Sequence, residues 1–335
     1  MALIKHLLIT GAFVACALFA SAPSGSLAQN ASAAVERVTM IAALFDRIEA
    51  VSERAIDPPV DIREIRDMEA AEWQKSELVI RNYYTTLANE LDELEAIIGR
   101  VREPPKDLEP VRLARDRAQI KLLAYHLSSG RVFASIYLDL IAATRAQDKL
   151  AFRASAVDLQ DALIQKEEVT LAYLSSLSKS ASPYAQARRN VEKTDSERFI
   201  LELKAGRALI LGDPVLDLTH AYSRTIDRLD QNTAALVSAK PTLERLLESL
   251  VDDEEKGQEL LAQAGQFAAK WQELTPLLRQ LWELRYPRSG RPSQRKDPAF
   301  QDLQSRASQL EQDIHMLNDD FKSKIRQTAL GTQLN

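Results

Sequence analysis

Cysteine is nearly missing from this 335-residue chain, which has one, Cys16. That excludes an intrachain disulfide and any zinc site built on several thiolates. Glycine is scarce, at 10 residues, and no glycine-rich loop is spaced to cradle a phosphate. Period-two hydrophobic runs bounded by turn residues, the mark of strands, are missing as well. Without strands there is no strand–turn–helix elbow for a nucleophilic serine. Charge of one sign is not in large excess. The 43 basic and 48 acidic residues leave −5, which gives no general attraction to nucleic acid. Nothing here calls for a cofactor or a metal, and the reading is that the chain is not an enzyme.

What is present begins with an export signal. Lys5 and His6 form a short positive region, and Leu7 to Ala20 carries no charge. Ser26-Leu27-Ala28 then approximates the small-x-small site of signal peptidase. Cleavage is expected after Ala28, with Ala22 as the alternative, so residues 1–28 are read as a signal peptide. The apolar run of about 14 residues is too short to span a hydrocarbon core of about 30 Å. A lipoprotein would use Cys16 as its acylated residue, but Phe13-Val14-Ala15 departs from the usual leucine three positions before the cysteine. Removing residues 1–28 takes away Lys5 and no acid, which moves the charge from −5 to −6. No later segment approaches the uncharged apolar length of a membrane span. The expected location is the periplasm or the medium.

Prolines and capping side chains divide the rest into helices expected near 31–56, 61–103, 107–181, 183–211, 213–251, 255–286 and 297–328. Ser182-Pro183, Asp213-Pro214 and Asp297-Pro298 each set a capping side chain before a proline at the first helical position, where its missing N–H costs nothing. Gly212 suits a left-handed C-cap. From Glu109 to Ser182 the favoured reading is one long helix, kinked near Gly130, with a hairpin turning at Ser128-Ser129-Gly130 as the alternative. Pro241 is read as a kink or a helix restart along one axis.

Apolar residues recur in steps of three and four. Ile80, Tyr84, Leu87, Leu91, Leu94, Ile98 and Val101 make one stripe, and Phe300, Leu303, Ala307, Leu310, Ile314, Leu317 and Phe321 another. Ile226, Leu229, Thr233, Leu236, Lys240, Leu243, Leu247 and Leu250 form a third. Phe133, Ile136, Leu140, Ala143, Gln147, Leu150, Ala154 and Val157 form a fourth, and Val38, Ile41, Phe45 and Ile48 begin a fifth. A repeat averaging 3.5 residues keeps one stripe against a partner helix. The fold expected is all-α: an elongated antiparallel helical bundle with coiled-coil-like heptad seams. Residues 29–211 would form an N-terminal bundle, with 212–335 packing on it or extending it.

Candidate constellations have simpler readings beside them. Asp213, Asp217 and His220 share a helical face as metal ligands would, but a cap and a first-turn acid explain the two aspartates. Asp252-Asp253-Glu254-Glu255 reads as a cap at a helix start, with Asp252 and Glu255 as the pair. His315 sits four residues after Glu311, at ion-pair spacing. Trp271, Leu278, Trp282 and Tyr286, with Phe267 and Leu274 beside them, read as core. The most unusual segment follows them. Arg285, Arg288, Arg291, Arg295 and Lys296 lie close together with no acid among them, either in a solvated connection between helices or as a contact for an anionic lipid or an acidic partner.

The function expected is that of an exported cell-envelope protein acting by protein–protein contact, as a scaffold, adaptor or chaperone-like factor, with homo-oligomers within reach. The alternatives are a ligand-sensing or metal-binding bundle and a membrane-surface protein. Export makes the first testable prediction. N-terminal sequencing of protein recovered from its native envelope should begin near Gln29, and an intact Met1 on cytoplasmic protein would contradict it.

Overall fold

The computed structural model describes residues 59–334 apart from 61, 102–109, 177–181, 252 and 288–296, together with eight positions between 40 and 54. Residues 1–28, read from the sequence as a signal peptide and including Cys16, lie outside the described residues, as do Arg288, Arg291, Arg295 and Lys296. All regular structure among the described residues is α-helical. The named helices are α1 (Ile62–Asp67), α2 (Ala70–Val101), α3 (Pro110–Arg145), α4 (Lys149–Ser176), α5 (Pro183–Leu211), α6 (Leu216–Ser238), α7 (Lys240–Leu250), α8 (Glu254–Arg285) and α9 (Pro298–Leu334). Helices adjacent in sequence pack side by side from α2 to α6, except that α3 also takes α1, and α8 packs against α6, α7 and α9.

The apolar stripes are where packing occurs. Ile80, Tyr84, Leu87, Leu91, Leu94 and Ile98 are all buried on α2, as are Phe300, Ala307, Ile314 and Phe321 on α9. On α6 and α7 the stripe runs through Ile226, Leu229, Thr233, Leu236, Leu243 and Leu247, but exposed Lys240 is not part of it, and buried Ala239 takes its place. Full burial of each leucine or isoleucine is worth about 1.5–3 kcal/mol. Two apolar cores result. The first gathers α2, α3 and α4 with Phe199, Ile200 and Leu203 of α5. The second gathers α6, α7, α8 and α9 with Tyr184, Ala187, Val191 and Ala205 of α5. The sequence-based division at 211/212 falls on the cap between α5 and α6, while the apolar side chains make α5 common to both cores.

Several boundaries differ from the sequence reading, each for a local reason. The expected helix 61–103 is interrupted at Met68 and Glu69, where the Met68 carbonyl accepts a 2.7 Å bond from Arg145 Nη1. The long helix expected over 107–181 is instead a hairpin, and it turns at 146–148, not at Gly130. Ser128, Ser129 and Gly130 lie inside α3, with Ser129 Oγ donating to the His126 carbonyl at 2.8 Å. At the turn Gln147 adopts a left-handed φ of 53°. Its N–H donates to Thr144 O at 3.2 Å, and Asp148 N–H donates to Ala143 O at 2.9 Å, the paired bonds of a Schellman ending. Asp148 then caps α4 by accepting from the N–H groups of Leu150 and Ala151, both at 3.0 Å.

The same ending closes α5, with Gly212 at φ 83° and Asp213 N–H donating to Ala208 O at 2.8 Å. Asp213 therefore completes the previous helix and does not cap α6, which starts at Leu216. The cap of α8 is Asp253, one residue after Asp252, and it accepts from Glu255 N at 3.1 Å and Lys256 N at 3.3 Å. Pro241 marks a restart, since α6 ends at Ser238 and α7 begins at Lys240. Pro276 breaks the rule that prolines mark ends, because it sits inside continuous α8. Ser182 and Asp297 cap as read from the sequence, bonding Ala185 N and Ala299 N.

The hairpin turn makes a direct prediction. Leu140 is 4% exposed and Leu150 is 79% exposed, although both lie on the same sequence stripe. Leu140→Asp should cost at least about 3 kcal/mol in urea unfolding, because it buries a charge and loses apolar contact. Leu150→Asp should stay within about 0.5 kcal/mol of the parent. Equal, large losses for both would restore the single long helix.

Candidate functional site

Helix α5 carries a line of charged and polar side chains where the other helices carry leucine. Arg188, Glu192, Asp195, Arg198 and Glu202 recur in steps of 4-3-3-4, which places them along one helical face. Arg198 is the hub. Its Nε donates to Asp195 Oδ1 at 2.8 Å, Nη1 to Glu202 Oε1 at 2.6 Å, and Nη2 to Glu311 Oε1 of α9 at 3.3 Å. Tyr222 of α6 donates its hydroxyl to the same Glu202 oxygen at 2.8 Å. The Arg198 side chain is only 4% exposed. Burial alone would pull its guanidinium down from the ordinary value, but Asp195, Glu202 and Glu311 outweigh that and raise it well above. Burial, reinforced by Glu202, also raises Tyr222 well above the usual phenol range.

A second buried arginine lies one end of α5 away. Arg188 is 1% exposed and donates to Asn318 Oδ1 of α9. Its guanidinium carbon lies 4.5 Å from the ring centroid of Phe267 and 4.6 Å from that of Phe321. Flat guanidinium against two ring faces is cation–π packing, in which the rings replace part of the lost hydration. Two arginines thus fix α9 against α5.

Beside Arg198 is a cavity of about 40 Å³ walled by α5, α6, α8 and α9. Glu202, Glu311 and Arg285 are its charged members, and Phe199, Trp282, Tyr222 and Tyr286 its aromatic ones. Tyr222 and Trp282 stack at 3.8 Å between centroids with 11° between planes, and Tyr286 leans on Trp282 at 4.5 Å. Trp282 Nε1 donates to Thr219 Oγ1 at 3.3 Å. The aromatic stripe is therefore core, as its spacing implied: Phe267, Trp271, Leu274, Leu278 and Trp282 are each no more than 5% exposed.

The first core holds its own buried charges. His126 on α3 and Lys166 and Glu167 on α4 are 5%, 1% and 5% exposed. Burial pushes His126 down from 6.5 to about 3, and the Lys166 charge adds to this. Burial raises Glu167 from 4.5 to about 7, Asp195 adds to the rise, and Lys166, Ser196 and Arg198 oppose it.

Of the residues proposed from sequence for partner or anion contact, Arg285 is described. It ends α8, lies 5.6 Å from the Phe300 ring centroid and lines the cavity. Asp217 and His220 are exposed on α6, and no group of three or more His, Cys, Asp or Glu suited to a metal occurs among the described residues. The Arg198 cluster was missed by reasoning that tracked apolar periodicity alone. Its 4-3-3-4 spacing of mixed charge was the available signal. The chain matches no protein-family model, no curated protein and no solved structure.

The buried His126 and Glu167 impose opposite pH slopes on stability. His126 binds its proton more weakly folded than unfolded, so stability falls as pH drops from 6.5 towards 3. Glu167 binds its proton more tightly folded, so stability falls as pH rises from 4.5 towards 7. In the overlap the two offset each other. His126→Gln should leave stability declining as pH rises from 4.5 to 6.5, and Glu167→Gln should leave it climbing, each by up to about 1.4 kcal/mol per pH unit. Urea unfolding across that range checks the signs, and parallel profiles for the two variants would contradict the assignment.

Proposed function

We propose that this chain is exported to the cell envelope and works there by protein–protein contact, as a scaffold or adaptor. The observation that carries the reading is the placement of the basic run. Its two ends are anchored, since Tyr286 and Phe300 are 7% and 4% exposed. Between Tyr286 and the helix cap Asp297 come Arg288, Arg291, Arg295 and Lys296 with no acid among them, in a chain whose net charge is −5. A basic segment delivered from two fixed helix ends suits an acidic surface on a partner protein, with attraction that salt screens. Several other surface cations are paired within the bundle. Arg131 pairs with Asp92 and Glu95, Lys204 with Glu168, Arg207 with Asp161, and Arg279 with Asp227 and Asp230.

The expected test replaces Arg288, Arg291 and Arg295 together by serine. Melting temperature should be unchanged, while crosslinking to a specific envelope protein at low salt should be lost and should already be weak for the parent at high salt. Crosslinking that survives the triple change would overturn the reading. If the variant instead loses co-sedimentation with vesicles containing anionic lipid while protein crosslinks persist, the segment serves a membrane surface.

A further inference from the structure

The cavity beside Arg198 is small, and its chemistry is specific. A volume of about 40 Å³ holds roughly three water-sized groups, far less than the cavities of several hundred Å³ that hold sugars or nucleotides. Glu202 and Glu311 border it from two different helices, α5 and α9. Glu202 Oε1 already accepts from Arg198 and Tyr222. Its Oε2 accepts nothing among the described residues, and the Glu202 side chain is 14% exposed. A carboxylate oxygen that is mostly desolvated and still open to a donor favours a cation there.

The remaining walls decide what kind of cation. Phe199, Leu278, Leu281, Trp282 and Ala307 offer carbon surface, while Gln304, Ser308, Tyr222 and Tyr286 add only neutral polar groups, a lining that suits an alkyl group better than the full oxygen shell of an inorganic ion. A metal is further disfavoured because no three ligating side chains converge among the described residues. An anion would meet two carboxylates. Arg285 also lines the cavity, and no carboxylate among the described residues pairs with it. Its charge works against a cation and limits affinity.

We propose that this cavity binds a small primary alkylammonium ion, with its N–H groups directed to Glu202 and its carbon chain against Trp282 and Leu278. This goes beyond the interaction reading and does not depend on it, because the walls differ from the Arg288–Lys296 run.

Ethylammonium chloride is the probe, followed by the indole N–H resonances of the full mature chain. Trp73 and Trp271 lie outside the cavity walls and serve as internal references for Trp282. A three-atom ligand binds no tighter than about 0.5 mM, so saturable millimolar binding that moves Trp282 is expected, with acetate giving none. Glu202→Gln keeps the oxygen that Arg198 and Tyr222 use and should weaken binding at least tenfold. Arg285→Gln sits at the half-buried end of α8 and should fold normally. Removing its repulsion should tighten binding by a few-fold at low salt, a gain that a merely structural role would not produce. Absence of saturation, equal binding of acetate, or an affinity that Arg285→Gln leaves unchanged or weakens would each overturn the proposal.

Discussion

The structure depends on what surrounds Arg198. A guanidinium carried into the interior of an all-helical chain loses most of its hydration, and that loss is tolerable only if carboxylates replace the water in good geometry. Asp195 and Glu202 stand one turn to either side on the same helix, and Glu311 arrives from α9. The requirement therefore sets the register of α9 on α5, since a slip by one turn would leave a buried charge without its partner. Compared with a well-packed apolar substitute, such a cluster adds little net stability. Its role here is to single out one packing among several that leucine-rich helices could adopt. Arg188, held by Asn318 and two phenylalanine rings, repeats the device nearer the start of α5.

Because α5 contributes apolar side chains to both cores, it is buried on nearly every side and its polar line has nowhere to go but inward. That explains why buried charge is densest in this helix, with Lys166 and Glu167 of α4 facing it as the other buried pair. Ion pairs on the outer faces, such as Lys204 with Glu168, are solvent-exposed and worth at most about 1 kcal/mol each. The proposed functional features gather at the α8–α9 end of the molecule. Arg285 belongs to both of them, as the first residue of the basic run and as a wall of the cavity.

Much of the architecture was legible in the sequence because apolar periodicity and capping chemistry are local. The stripes on α2 and α9, the Ser182 and Asp297 caps and the Gly212 ending needed no tertiary knowledge. What escaped is equally specific. Gln147 does the work usually left to glycine, so the hairpin turn had no strong residue signal, and Leu150 kept the three-four spacing across it. Asp213 looked like a cap because a proline follows it, but backbone bonds to Ala208 claim it for the preceding helix. The Arg198 cluster was hidden by the assumption that charge on a helix faces solvent. Glu311 stands 113 residues from Arg198, and its part in the cluster could come only from the fold.

The central claim is that α5, pinned by its buried charges, makes the two cores one cooperative unit. Single-tryptophan forms test it directly. One would keep Trp73, which packs against the first core, and the other Trp282 in the second. Urea unfolding followed by each tryptophan should give the same midpoint and the same slope, as a single transition requires. Two separate transitions, with Trp282 released while Trp73 remains buried, would contradict the account.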